Sequence, residues 1–165
     1  MEKTLILLRH AKSDWDADYS GDHERPLSKR GRKAAKAIGE FLSDTRHVPD
    51  EILCSTAART RETISLVREN ANWNDVEVTF TEDLYLAAPE NVLSMVRGLP
   101  VSSECVMVVG HQPFTGILAS GLLGGRSIEV PTGCLIVIEL AIDSWSQISR
   151  MSGKLVEHIL PRSLV

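Results

Sequence analysis

Hydrophobic positions divide this chain into short apolar runs separated by segments of helical period. Residues 4–8 (TLILL) are continuously apolar, as expected for a strand covered on both faces. From Ser28, a plausible N-cap, apolar residues recur at Ala34, Ala35, Ile38, Phe41 and Leu42, which predicts a helix. Residues 51–54 (EILC) predict a second strand, and residues 57–70 a helix with Ile64 and Val67 turned inward. A third strand is expected at 76–80 (VEVTF), where apolar and polar residues alternate. Residues 89–97 predict a short helix with proline in its first turn, where a missing N–H costs little. A fourth buried strand follows at 105–109 (CVMVV), then an apolar helix at 114–123 that stops at Gly124-Gly125. A fifth strand is expected at 134–140 (CLIVIEL), with residues 145–150 returning against it as a hairpin.

Strands that alternate with helices predict an α/β fold, a three-layer sandwich whose mainly parallel central sheet is flanked by helices. The antiparallel element is expected near the end. No internal repeat, low-complexity tract or shift in composition interrupts the chain, so residues 1–165 read as a single domain.

Composition narrows this picture. The 165 residues are 43% apolar and 24% charged, enough to bury one core without disulfides or a structural metal. No apolar run approaches the ~20 residues that span a bilayer, and the first apolar run is too short for a signal peptide. Cys54, Cys105 and Cys134 are odd in number, lie in apolar stretches and lack CxxC spacing. They read as free thiols in a reducing compartment, so a cytoplasmic location is expected. With 18 basic and 22 acidic side chains the net charge is −4, which gives the molecule no reason to seek nucleic acid or membrane lipid. Attraction to an anion has to be local, and clustered Arg and His are the feature to look for.

Such residues stand directly after three of the expected strands. Arg9-His10 follows the first. Residues 55–63 (STAARTRET), with Arg59, follow the second and open a helix. Residues 110–113 (GHQP), with His111, follow the fourth and open another. The carboxyl ends of strands in an open α/β sheet are where ligands bind, so two imidazoles and two guanidiniums converge on one sheet edge. Helix N-termini there add N–H groups suited to an anion.

These segments, with LLRHAKSDW at 7–15 and RPLSKRG at 25–31, resemble the histidine phosphatase superfamily, and within it the small SixA-like phosphohistidine phosphatases. The resemblance runs from the first strand to at least the fourth helix, and it implies a phosphoglycerate mutase-like fold. It implies that His10 is a nucleophile forming a phosphohistidine intermediate that water then hydrolyses. Arg9 and Arg59 would grip phosphoryl oxygens, and His111 would donate to an oxygen whose charge grows in transfer. Ser13, Gln112 and Arg25 are further candidates for phosphate contact. No metal and no cofactor are required in this scheme.

Three features depart from the superfamily pattern. Ala11 stands where glycine is common, and Lys12 where an acidic residue is frequent. The carboxylate that larger branches carry after the third strand has no clear counterpart, since Tyr85-Leu86-Ala87-Ala88 follows Glu82-Asp83. Glu82 is the first substitute as general acid, with Asp14 or Asp22 behind it. An acid-poor pocket favours phosphohistidine, whose ring nitrogen can be protonated before cleavage, over a sugar phosphate whose alkoxide needs a proton. The favoured substrate is therefore phosphohistidine in a protein. The alternatives are a phosphatase of small phosphate esters with Glu82 as acid, and a phosphate-binding regulatory module of weak activity.

Other features carry less. Asp14-x-Asp16-x-Asp18 imitates a calcium loop but has Tyr19 and Arg25 where glycine and Glu belong. His10 and His111 lack a third zinc ligand. Lys29, Arg30, Arg32, Lys33 and Lys36 read first as a solvated face, and second as a docking surface for an acidic phosphoprotein if they flank the pocket. Trp15, Trp73 and Trp145 read as packing or loop anchors, and His23, His47 and His158 as structural or exposed.

Overall fold

A computed structural model describes residues 2–150 and 152–164. Its elements run β1 (Lys3–Arg9), α1 (Lys29–Leu42), β2 (Glu51–Ser55), α2 (Ala58–Ala71), β3 (Val78–Thr81), α3 (Pro89–Arg97), β4 (Cys105–Gly110), α4 (Phe114–Leu122), β5 (Leu135–Leu140) and β6 (Gly153–Ile159). The six strands form one sheet in the order β3-β2-β4-β1-β5-β6. The pairs β3–β2, β2–β4 and β4–β1 are parallel, whereas β1–β5 and β5–β6 are antiparallel.

Alternation along the strands builds two cores, one on each face. Leu5, Leu7, Val106, Val108, Ile136 and Ile138 pack with Val92 and Val96 of α3 and Phe114, Leu118 and Leu122 of α4. Their neighbours Ile6, Leu8, Met107, Val109, Leu135 and Val137 pack with Ile38 and Leu42 of α1 and Ile64 and Val67 of α2. The result is a helix–sheet–helix sandwich, as the sequence predicts. Cys54 and Cys134 are buried and Cys105 half-buried, all three as free thiols. Among the described residues no helix is long and apolar enough to cross a membrane.

One element differs from expectation. Residues 145–147 form a 3₁₀ turn rather than a strand. Ser144 and Gln147 close a capping box there, and the fully buried Trp145 donates its indole N–H to Ser103 O at 2.7 Å. Burial of that ring among core residues outweighs its β propensity. The antiparallel partner of β5 is β6, which begins at Gly153.

The start of α1 is clamped to the loop after β1. Ser28 accepts from Gly31 N at 3.0 Å, while its own N–H and hydroxyl both donate to Lys12 O, at 2.9 and 3.0 Å. A Cβ on Gly31 would lie 2.0 Å from Lys12 O, so only glycine admits this approach. The cap thereby fixes the loop that carries His10.

Candidate active site

Register brings the site together. Arg9 pairs with Gly110 across β1–β4, and Cys54 with Val109 across β2–β4, so His10, Ser55 and His111 leave the sheet at the same edge. They open onto a cleft of about 590 Å³ whose lining includes Arg9, His10, Ser13, Arg25, Arg59 and His111. The Gly110 position allows this closure, because a Cβ there would meet the Phe114 ring at 2.1 Å.

His10 is buried and its tautomer is fixed. Nδ1 lies 2.7 Å from Ala11 O, and since a carbonyl only accepts, Nδ1 must donate. Nε2 is then the bare, basic nitrogen. Burial, reinforced by His111, Arg59 and Arg9 and only partly opposed by the Ala11 bond, pushes the pKa down to about 3. The ring is neutral at neutral pH. The His111 ring centroid lies 5.4 Å away, and its Nε2 shares a 2.8 Å hydrogen bond with Ser55 Oγ. When the Ser55 hydroxyl donates to Nε2, Nδ1 carries the proton and is the donor left for a ligand. Burial and Arg59 lower the His111 pKa to about 4.

Two guanidiniums complete the floor. Arg9 donates through Nη1 to Val130 O at 3.0 Å. Arg59 donates through Nη1 to Asp22 O at 2.9 Å and through Nη2 to Asp22 Oδ2 at 3.1 Å. The Nε atoms of both arginines are buried without a hydrogen-bond partner. The same holds for Arg68 Nε outside the cleft, so these atoms are not particular to the site; what Arg9 and Arg59 bring to the cleft lining is two cations that call for anionic acceptors. A tetrahedral oxyanion supplies such acceptors at the geometry guanidiniums match.

Asp22 braces this floor from behind. Its carboxylate also takes the Tyr85 hydroxyl at 2.7 Å and pairs with Arg25. The Tyr85 bond first, with help from Arg25 and Arg59, holds its pKa down at about 2 against the opposing effect of burial. Tyr85 lies edge-on to both His111 and His23, with centroids 5.8 and 4.8 Å away. Thr63 ties α2 to the loop that carries His10 by accepting from Ala11 N at 3.0 Å and donating to Arg59 O at 2.6 Å.

The first part of this architecture has a known signature: residues 5–85 match the histidine phosphatase superfamily (branch 1). The chain belongs to that superfamily. An uncharacterized protein of Mycobacterium tuberculosis is 32% identical over 165 residues, covering 94% of this chain and 100% of its own length. An uncharacterized chloroplastic protein of Arabidopsis thaliana is 32% identical, over 93% of this chain and 73% of its own. Among solved structures, a proposed phosphohistidine phosphatase SixA from Nakamurella multipartitia superposes with a TM-score of 0.84 at 27% identity, covering 98% of this chain and 97% of that one. The fold is thus phosphoglycerate mutase-like.

In this member of the superfamily, the cleft collects Arg9, His10, Arg59, His111, Ser13, Arg25 and Gln112. Ser13 Oγ accepts from Arg25 Nε at 2.9 Å, and the Arg25 guanidinium lies 3.5 Å over the Trp15 ring. Gln112 Oε1 accepts from Gly116 N at 2.7 Å, which spends its side-chain oxygen on the first turn of α4. Glu82 stands apart, exposed at the start of the 3₁₀ turn Glu82–Leu84 and absent from the cleft lining. Among the described residues, no carboxylate lines the cleft. Nor do three His, Cys, Asp or Glu side chains gather there or elsewhere in a metal-holding group.

Sequence reasoning missed Tyr85, Ser55 and Thr63 as parts of the site, and set His23 aside. His23 shares hydrogen bonds with Thr56 at 2.8 Å and Glu24 at 2.9 Å. The position of Ser55 and Thr63 inside STAARTRET was the available signal. For Tyr85 and His23 no local pattern existed, since their partners lie in another loop.

Proposed function

We propose that this protein is a phosphatase that transfers a phosphoryl group to His10 Nε2 and then to water, with phosphohistidine in a protein as substrate. The observation that carries the reading is the bare Nε2 of His10 in a cleft whose lining also holds Arg9, Arg59 and His111. Arg9 and Arg59 bind the equatorial oxygens, and His111 donates to one of them as its charge grows.

In the first step a P–N bond forms at His10 Nε2 as the P–N bond to the substrate imidazole breaks. With its other ring nitrogen protonated beforehand, the substrate ring takes the electron pair and leaves neutral. The second step has the same chemistry. Nδ1 of His10 already carries a proton held by Ala11 O, so phospho-His10 is itself a protonated phosphoramidate. Water forms the new P–O bond, the electron pair returns to Nε2, and the water proton departs with phosphate or to solvent.

Neither step needs a protein carboxylic acid, which suits a cleft with no carboxylate among its described lining residues and with Asp22, bonded to Arg59, held ionised. An alkyl ester would need that acid, and the exposed position of Glu82 weighs against its supplying one. The likeness to a protein described as a phosphohistidine phosphatase supports the same substrate class.

Rapid-quench trapping with a radiolabelled phosphohistidine protein tests the proposal. Wild type is expected to show acid-labile, base-stable label, and His10→Ala neither label nor turnover, a loss of roughly 10³-fold or more. Turnover by His10→Ala equal to wild type would overturn it.

A further inference from the structure

Beside the cleft lies a second pocket of about 370 Å³, lined by Lys12, Arg30, Lys33, Ala34, Pro131, Thr132, Leu160, Pro161 and Arg162. Lys12 and Thr132 line both, so the two hollows are neighbours. Four of its nine lining residues are cationic and none is acidic. Arg162 is paired with Glu129 at 3.0 Å, whereas no ion pair engages Lys12, Arg30 or Lys33 among the described residues. In a molecule of net charge −4, three unpaired cations around one concavity are a local reversal of sign.

The pocket is also built firmly onto the site. A Cβ on Gly133 would lie 2.7 Å from Pro161 Cγ, and Gly133 N donates to His10 O at 2.8 Å. Its far wall is α1, whose capping Ser28 holds Lys12 O. A group seated here is therefore at a fixed offset from the nucleophile. The basic stretch of α1 divides accordingly: Arg30 and Lys33 face this pocket, while Arg32 donates instead to Leu27 O at 3.0 Å.

We propose that this pocket is a specificity subsite for carboxylate side chains of the substrate protein next to its phosphorylated histidine. This rests on the phosphohistidine reading above. Arg30, Lys33 and Lys12 attract the carboxylates, and the apolar floor of Pro131, Leu160 and Pro161 takes the accompanying chain. The phosphoryl group supplies what the floor of the cleft recognises; the acidic flank supplies the discrimination between proteins. As the contacts are exposed, they act on encounter and on orientation, and weaken with salt.

The test uses two phosphohistidine peptides that differ only in carrying Glu or Gln at flanking positions, with an aryl phosphate as control. Wild type is expected to prefer the Glu peptide in kcat/KM by roughly tenfold at low salt, a preference that shrinks as ionic strength rises. The double variant Arg30→Glu/Lys33→Glu is expected to abolish or invert that preference and to leave aryl phosphate turnover unchanged, which also reports intact folding. A preference that persists in the double variant, or no preference in wild type, would overturn the subsite. If wild type turns over the aryl phosphate but neither peptide, the phosphohistidine reading falls, and the subsite with it.

Discussion

The floor and the rim of the cleft are built on opposite principles. On the floor, His10, Arg59, Ser55 and Thr63 are buried; the His10 ring is held by its neighbour Ala11, and the other three by hydrogen bonds with other segments. On the rim, Trp15 is 68% exposed and Leu86, 82% exposed, has a left-handed φ of 57°. A buried, over-determined floor presents the same atoms to every phosphoryl group, so it sets the chemistry. A loosely held, exposed rim is where leaving groups differ, so it sets the choice among them. If this division is right, floor substitutions lower the rate on all substrates alike, and rim substitutions change their ranking.

The strongest way to break the division is Arg59→Lys. It keeps the charge but removes the buried Nε–H and the fork, and should lower kcat by about 10²-fold on both an aryl phosphate and a phosphohistidine protein. A loss confined to one substrate in steady-state assays would show that the floor discriminates.

Asp22→Asn sharpens the boundary, because Asp22 braces the floor without lining the cleft. Losing the ion pairs to Arg59 and Arg25 should cost roughly tenfold in kcat/KM, mostly in kcat, by misplacing Arg59. A readout independent of turnover accompanies it. The Asp22 bond raises the Tyr85 pKa, so spectrophotometric titration should find this phenol ionising at lower pH in the variant.

Stability against pH separates floor from rim without any substrate. His10 and His111 titrate at about 3 and about 4 in the fold, against an ordinary value of 6.5. Between these limits the unfolded chain binds more protons than the folded one, so stability is complete above about 6.5 and is lost as pH falls. Each histidine contributes a slope of up to about 1.4 kcal/mol per pH unit. Urea unfolding between pH 6 and pH 4 should show His10→Gln with a slope shallower by that amount. An unchanged slope would mean that His10 is not held neutral.

The smallest effect belongs to the rim. Leu86→Asn relieves a left-handed backbone at a leucine and should stabilise the protein by up to ~1 kcal/mol in urea unfolding. Aryl phosphate kcat should stay the same while KM for a protein substrate rises. A fall in kcat would place Leu86 with the floor.

Legibility in the sequence follows the same line. The strand cores were readable because residues 4–8 and 105–109 are apolar on both faces, and α1 because Ser28 caps a clear helical period. The residues at the strand ends were readable because a parallel sheet sends successive strand ends to one edge. Residues 145–150 were misread because an aromatic residue after a strand looks like a returning strand, whereas Trp145 is the buried packing anchor its type suggested, bonded to Ser103 O. Glu82 was favoured for its nearness in sequence to the missing acid, but the turn that begins there points it out of the cleft lining.

By itself, then, the sequence determined the layers and which arginine and histidine side chains stand at the sheet edge, because hydrophobic period and strand-end position are local properties. Only tertiary structure decided which nitrogen of His10 is bare, that Asp22 and Tyr85 brace Arg59, and that Arg30 and Lys33 share a pocket with Lys12. Those facts depend on distances between segments that chain order does not encode. A hydrogen bond or a shared cavity exists only once packing has brought its partners within a few ångströms.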